Sequence, residues 1–327
     1  MTEVKELRKL IFDINSEKEF NALAIAICQF QYGRNTIYQQ YCDLLKVDIA
    51  TITDYHQIPF LPIEFFKTQQ VLCGNYFEKV FKSSGTTGQQ KSQHLVADLS
   101  IYEESFLRCF EQFYGADTNL AIIALLPNYL EQGDSSLVYM VTKLVELSDN
   151  KLSGFYTKDE VATVIKEQES NNQKALLIGV SYALLDLVEQ QQFNLKNTTV
   201  METGGMKGRR KELTREELHS VLTTGFGVDT IHSEYGMTEL LSQGYSKGNG
   251  IYEAPNWMQF LIRDPQDPLT IIEQSRIGGV NVIDLANINS CSFVATQDLG
   301  KLNPNGTFQI LGRFDNSDIR GCNLMMV

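Results

Sequence analysis

The 327-residue chain has no long apolar run; the longest near its middle is LAIIALLP, Leu120 to Pro127. That is far short of the roughly 20 residues a membrane helix needs, so no membrane span is expected. The opening stretch MTEVKELRKLIFD scatters charges among its apolar residues, which argues against a secretory signal. Six cysteines lie far apart with no CxxC pair, so neither a zinc site nor a disulfide framework is suggested. These absences together predict a soluble, cytoplasmic protein with reduced thiols. Basic residues are scarce: 28 Lys and Arg stand against 40 Asp and Glu, a formal net charge of −12. That balance argues against general binding to nucleic acid or anionic membranes. No internal repeat or low-complexity tract is present. A hydrophobic content of 43% is enough for a sizeable core.

What is present follows an order. The first 60 residues read as a helical layer, with Phe20, Leu23, Ile27 and Phe30 at helical spacing. IPFLPIEFFK reads as extended, because its prolines oppose regular helix. YFEKVFK and SQHLVAD read as strands around a Gly-rich loop. A helix capped by Asp98 and ended by Gly115 follows. Strand-like NLAIIALLP, KALLIGV, NTTVMETGG and VDTIHSEYG then alternate with helix-like segments, and Thr214 and Glu217 form a capping box for the last helix. The alternation predicts an α/β layer with a mostly parallel sheet. After Trp257 shorter segments, IGGVNVIDL, CSFVATQDLG and NPNGTFQILGR, predict a smaller, more antiparallel β portion.

The loop FKSSGTTGQQKSQ begins at Phe81. It is not a Walker A loop: counting from Gly85, the required second glycine falls on Gln90, and strand rather than helix follows Lys91. Its composition still suits an anion. Gly85 and Gly88 let successive N–H groups converge, Ser83, Ser84, Thr86 and Thr87 add hydroxyls, and Lys91 adds a charge. A plain hairpin turn is the alternative.

Four later segments, METGGMKG, SEYGMTELLSQGY, VATQDLGKL and LGRFDNSDIRG, follow the loop in order. Together the five resemble the core motifs of the adenylate-forming superfamily. The preceding IPFLPIEFFK and the short length make the chain similar to the acyl-protein synthetases of the LuxE type, with phenylacetate-CoA ligases as more distant relatives. The resemblance implies an α/β fold like the N-terminal domain of adenylate-forming enzymes, with mixed sheets flanked by helices. It implies one nucleotide- and acyl-binding domain over 1–310 and a hinge-like tail over 311–327, lacking the usual C-terminal domain and its catalytic Lys. The reaction implied joins a carboxylic acid, expected to be fatty, to ATP with Mg²⁺, then moves the acyl group to a thiol.

By that resemblance Ser83, Ser84, Gly85, Thr86, Thr87, Gly88 and Lys91 would grip the β- and γ-phosphates. Glu202, Thr203, Gly204 and Gly205 would lie along adenine, with Tyr235 stacking on it and Gly236 also binding the nucleotide. Thr238 would bond the α-phosphate, Glu239 would hold magnesium, and Asp298 and Arg313 would contact ribose. Cys322, near the C-terminus beside Arg320, would carry the acyl group as a thioester. Cys322, Thr238 and Lys91 form the expected catalytic set, and an acyl reductase is the implied partner. Cys28, Cys42, Cys109 and Cys291 read as core, and Cys73 stays open. Apolar strand ends around Leu125, Gly179 and Tyr182, with Trp257, are candidates for the acyl pocket, and His232 is placed beside the nucleotide or acyl pocket.

Rival readings remain at this level. A CoA ligase would leave the tail cysteine idle. A non-catalytic nucleotide-binding subunit would explain the missing Lys. Ser181 with Asp229 and His232 suggests a serine acyltransferase built on a near nucleophile elbow. Lys207, Arg209, Arg210 and Lys211 could guide an anionic partner.

Overall fold

A computed structural model describes residues 2–84, 90–127, 133–204 and 213–314. Helices α1 (Thr2–Ile11), α2 (Glu17–Arg34) and α3 (Thr36–Leu44) open the chain. Ser16 starts α2 by accepting from the Glu19 N–H. Asn35 starts α3: its Oδ1 accepts from the N–H groups of Ile37 and Tyr38, satisfying donors that the first turn leaves free. Phe20, Leu23, Ile27 and Phe30 are all buried, as their spacing predicts. The helical layer is also tied on by polar groups. The Gln31 side chain donates to the carbonyls of Asn287 and Ile288, and that of Asn35 donates to Ser290 O.

IPFLPIEFFK is only half extended. Leu61–Pro62 forms a short strand, β1, but Phe65–Thr68 coils into a single-turn helix, α4. A proline restricts itself and the residue before it, so nothing beyond Pro62 forbids a helical turn. The turn buries Phe66 completely. The hairpin of β2 (Lys79–Lys82) and β3 (Gln93–Val96) follows, antiparallel, with Lys82 opposite Gln93 at its tip. Helix α5 (Leu99–Tyr114) is capped by Asp98 and stopped by Gly115, whose φ of 81° suits glycine.

Strict alternation then begins: β4 (Ala121–Leu125), α6 (Ser136–Leu147), β5 (Gly154–Phe155), α7 (Lys158–Ser170), β6 (Ala175–Val180), α8 (Ser181–Gln190), β7 (Thr198–Thr203), α9 (Arg215–Phe226) and β8 (His232–Tyr235). These strands pair in parallel, in the order β5-β4-β6-β7-β8. β4 and β6 are buried along their whole length, which explains their unbroken apolar runs. The path steps one way from β5 to β8, so right-handed crossovers put α7, α8 and α9 on one face. The single backward step from β4 to β5 puts α6 on the other, where α5 packs beside it.

The predicted antiparallel portion is continuous with this layer. β9 (Gly244–Ser246), β10 (Tyr252–Glu253), β11 (Met258–Arg263), β12 (Ile277–Asp284), β13 (Phe293–Leu302) and β14 (Phe308–Arg313) extend the same sheet beyond β8, and β1 pairs with β13. Asp284, fully buried, holds the turn after β8 to this portion. One carboxylate oxygen accepts from Leu241 and Ser242 N–H, and the other accepts from the Ser242 hydroxyl and Ala286 N–H. Among the described residues no helix is long and apolar enough to cross a membrane.

Asp284→Ala would leave these donors buried without an acceptor. Each unpaired donor costs about 1–3 kcal/mol, so urea unfolding should show a loss of more than about 3 kcal/mol. A loss under about 1 kcal/mol would show that the turn does not depend on this carboxylate.

Candidate active site

Ligands of open α/β sheets bind beyond the carboxyl ends of the parallel strands. At that edge the register aligns Leu125 with Gly179, Gly179 with Glu202, and Val180, Thr203 and Glu234 in one row. The expected site residues Glu202, Thr203, Gly204, Tyr235, Gly236, Thr238 and Glu239 therefore share one edge. Asp298 of β13 joins them, because the Tyr235 hydroxyl donates to its carboxylate at 2.8 Å. Arg313 lies opposite Asp298 in register, with Nε 3.4 Å from Oδ1. The Arg313 side chain is 80% exposed, so this pair adds little stability but leaves a guanidinium free to meet a ligand.

Tyr235 is held by packing as well as by this hydrogen bond. Its ring is only 8% exposed and packs among Tyr252, Phe260 and Phe308. Strand alternation is the cause, since Tyr235 points into the β portion and its hydroxyl positions Asp298.

The hairpin tip reaches the segment after β8. Ser83 and Ser92 close it: Ser83 N–H donates to Ser92 O at 3.0 Å, and Ser92 N–H donates to the Ser83 hydroxyl at 2.9 Å. Ser84 is exposed and Lys91 half-buried, while Gly85, Thr86, Thr87 and Gly88 lie outside the described residues. Lys82 binds Asp134 at 2.8 Å, and that contact holds the Asp134 carboxyl below its ordinary pKa. Glu239 is 5% exposed. Burial raises its pKa, and a hydrogen bond from Ser92 opposes the rise. A carboxylate oxygen is the hard donor that magnesium prefers, but among the described residues no cluster of three or more metal-ligating side chains surrounds Glu239.

His94 is fully buried and braces the site. Nδ1 lies 2.8 Å from Thr238 O and Nε2 lies 3.0 Å from Asn287 Oδ1. Burial pushes its pKa down to about 4, so the ring is neutral and its single N–H donates to one of these two oxygens. Asn287 in turn donates to Glu239 O at 2.8 Å. β3 and Asn287 thus grip the backbone of Thr238 and Glu239 from both sides. No motif marks His94; only the fold brings it there.

Glu202 is also not free for a ligand. Its carboxylate binds Arg215 at 2.7 Å and lies 3.1 Å from the Ser181 hydroxyl and 3.7 Å from His219 Nε2. Burial would raise its pKa, but the His219 hydrogen bond and the Arg215 charge outweigh it and hold it low. The backbone remains available: Gly204, at φ 68°, turns the chain out of β7. Gly205 lies outside the described residues, as do Lys207, Arg209, Arg210 and Lys211.

Ser181 is the first residue of α8, and its hydroxyl donates toward Gly204 O and Glu202. His232 sits at the opposite end of the strands, with Nδ1 3.1 Å from the Tyr114 hydroxyl. No triad forms, and His232 is not at the carboxyl edge where it was expected. Leu125, Gly179 and Tyr182 do gather at that edge. Trp257 does not: its indole N–H is buried against Ser105 and Ser242. Two open hollows, lined among others by Lys174, Lys196, Thr198 and Thr199, lie at the amino-terminal edge and contain none of the motif residues.

Glu234 was not anticipated. Alternation turns it to the face opposite Tyr235, where its Oε2 accepts from the Thr203 hydroxyl at 2.6 Å. Its other oxygen lies against Gly236; a Cβ there would come within 2.3 Å of it. Burial pushes the Glu234 pKa up to about 7 from 4.5. Between those values the folded protein keeps a proton that the unfolded chain has released, so this group's contribution to stability falls as pH rises. Glu234→Gln should remove that slope. Thermal unfolding from pH 5 to 8 should show the wild type losing on the order of 2–3 kcal/mol relative to the variant. Parallel pH profiles would contradict the raised pKa.

Comparison with known proteins now fits this geometry. Solved structures of acyl-activating ligases share the fold. An ATP-bound chimera of RpMatB and BxBclM matches with a TM-score of 0.56 at 16% identity, over 75% of this chain and 48% of the other. A structure of 2-hydroxyisobutyryl-CoA ligase with 2-HIB-AMP and CoA matches with a TM-score of 0.67 at 10% identity, over 91% and 71%. ATP-bound MatB from Rhodopseudomonas palustris gives 0.55 at 16%, over 75% and 48%. The chain spans about half the length of the MatB structures. The chain belongs to the LuxE acyl-protein synthetase family, whose model matches residues 9–327. No curated protein matches it significantly.

Proposed function

We propose that the protein uses ATP to activate a carboxylic acid as an acyl-adenylate and then passes the acyl group to Cys322. The observation that carries this reading is the meeting of three groups at one sheet edge. These are the Asp298–Tyr235 pair, the Thr238–Glu239 segment braced by His94, and the closed tip of the β2–β3 hairpin.

In this reading ATP is a substrate. Asp298 accepts from the ribose hydroxyls, and Arg313 approaches the same sugar. The backbone of Gly204 and its neighbours lies along the base. Ser83, Ser84, Lys91 and the loop they flank hold the outer phosphates. Thr238 donates to the α-phosphate and Glu239 holds magnesium, which neutralises phosphate charge when bound. A carboxylate oxygen of the acid attacks the α-phosphorus; the bond to the pyrophosphate oxygen breaks and pyrophosphate leaves with the electron pair. The chain's contribution is alignment and charge complementarity, each worth several kcal/mol in such transfers.

The acyl carbon is then attacked by a thiolate; AMP leaves and the thiol proton goes to solvent. Cys322 lies outside the described residues, but the other five cysteines do not compete. Cys28, Cys42, Cys109 and Cys291 are buried, as expected from their apolar surroundings. Burial pushes the Cys28 thiol up to about 11 and Cys42 to about 12, and raises Cys109 and Cys291 as well. Half-exposed Cys73 rises to about 12 and its thiol faces carbonyl oxygens. Thiols so rarely ionised are poor nucleophiles. The thioester would then be handed to a partner, an acyl reductase being the reading we adopt. Transfer to CoA is the second reading, supported by the shared fold of the CoA ligases.

Two measurements test the proposal. Pyrophosphate exchange into ATP should depend on an added acid and persist in Cys322→Ser. A hydroxylamine-labile label from a radioactive acid should be lost in that variant. A label that survives would remove Cys322 as acceptor, and label appearing on added CoA instead would favour the ligase reading.

A further inference from the structure

In the proposed reading Cys322 must meet an adenylate seated at Asp298, and the last described residues fix where that approach starts. β14 ends at Arg313, yet the ladder continues for one more residue: the Phe314 N–H donates to Gln297 O at 2.8 Å. The Gln297 side chain in turn donates to the Glu64 carboxylate, just ahead of α4. The half-buried Phe314 ring lies under the Arg263 guanidinium, whose Cζ is 5.6 Å from the ring centroid. The chain past Phe314 lies outside the described residues.

Arg263 is a buried cation with no counter-charge beside it. It ends β11 and is 8% exposed. Among the described residues no carboxylate lies within ion-pair distance of it; Glu64 and Asp298 act on it only through their charges. Its side chain reaches across the sheet instead. One terminal nitrogen donates to Val280 O at 2.8 Å and to Asn281 Oδ1 at 2.9 Å, and the other donates to Thr296 O at 2.5 Å. The path is open because Gly279 of β12 has no side chain: a Cβ there would come within 2.5 Å of Arg263 Cζ. Neutral acceptors satisfy the N–H groups but leave the charge uncompensated. Phe314 offers that charge the negative face of an aromatic ring, an attraction strongest where water is excluded.

We propose that Arg263 and Phe314 form an anchor that fixes where, and in which direction, the acyl-carrying segment leaves the sheet, so that Cys322 attacks the adenylate held by its own chain. This inference rests on the reading of Cys322 as acceptor and deepens it. The anchor lies one residue past Arg313, whose guanidinium faces Asp298, the carboxylate assigned to ribose. Eight residues lead from Phe314 to Cys322, a span of at most roughly 28 Å. The α-phosphorus and the acyl carbon lie a few bonds from that ribose, well within the span. The Cys322 sulfur bonds to the acyl carbon, the bond from that carbon to the phosphate oxygen breaks, AMP leaves with the electron pair, and the thiol proton goes to solvent. Arg263 and Phe314 touch none of the reacting atoms; both are positioning residues. Loosening the anchor leaves adenylate formation intact and dilutes the thiol around its target.

The test is a quenched-flow single turnover of the full chain with ATP, magnesium and radiolabelled hexadecanoate or phenylacetate, whichever supports pyrophosphate exchange better. Acyl-adenylate and hydroxylamine-labile protein label are separated at each time point. Conversion of the first into the second should be independent of protein concentration over about a tenfold range; a rate proportional to concentration would overturn the inference. Phe314→Leu keeps the apolar bulk and removes the ring face, whereas Phe314→Tyr keeps both. Phe314→Leu should slow conversion by about fivefold or more while acid-dependent exchange stays within about twofold of wild type, and Phe314→Tyr should stay within about twofold in both. A smaller effect of Phe314→Leu on conversion, an equal fall in exchange, or Phe314→Tyr as slow as Phe314→Leu would sink the anchor and leave Cys322 as acceptor. Wild-type exchange with no label on Cys322 would remove the thioester step itself, and no exchange with either acid would remove the activation reading; the anchor falls with either.

Discussion

One hydrogen bond ties the two halves of this site together: the Tyr235 hydroxyl donates to Asp298. Tyr235 ends the last parallel strand, and Asp298 lies on β13, four strands further along the same sheet order. A buried phenol on a buried carboxylate is a polar pair in a low-dielectric setting, where an unmatched partner is costly. The pair therefore fixes where the antiparallel portion sits against the carboxyl ends of the parallel strands. The aromatic cluster of Tyr252, Phe260 and Phe308 around the Tyr235 ring supports that geometry through packing. Asp298 keeps its second oxygen toward exposed Arg313, so the same group that joins the halves also faces the ligand side.

A second set of contacts serves the phosphate side by similar means. His94, Asn287 and Asp284 are buried polar side chains whose partners are mostly backbone groups of the segment from Thr238 to Ser242. A loop after a strand end would otherwise be free to move, yet alignment of two reactants needs it fixed to a fraction of an ångström. Here the fixing comes from β3, from the turn after β12 and from the end of β12. The hairpin that bears the Gly-rich loop and the segment that bears Thr238 and Glu239 are thus one mechanical unit.

Much of this was legible in the sequence. The unbroken apolar runs of β4 and β6, the Thr214–Glu217 capping box and the spacing of Phe20, Leu23, Ile27 and Phe30 each reflect a local rule that tertiary structure does not oppose. Family membership was legible because five ordered motifs carry it jointly. What escaped was decided by side-chain direction and long-range contact. Tyr235 and Glu234 are adjacent in sequence and face opposite ways, so Tyr235 packs into the β portion while Glu234 meets Thr203. Strict alternation along β8 was a usable signal for this, but it needs knowledge of which face holds which ligand. The Glu202 carboxylate is taken up by Arg215, Ser181 and His219, and His94 braces Thr238. Neither can be read from spacing, because the partners lie between 13 and 144 residues away.

The central claim is that Asp298, held by Tyr235, seats the nucleotide at the carboxyl edge of the sheet. Calorimetric titration of the full chain with ATP and magnesium tests it most directly. Loss of a charged acceptor for ribose should weaken ATP binding by about tenfold or more in Asp298→Asn, and Tyr235→Phe should weaken it by a smaller factor. Equal ATP affinity in wild type and Asp298→Asn, with both folded, would contradict the account.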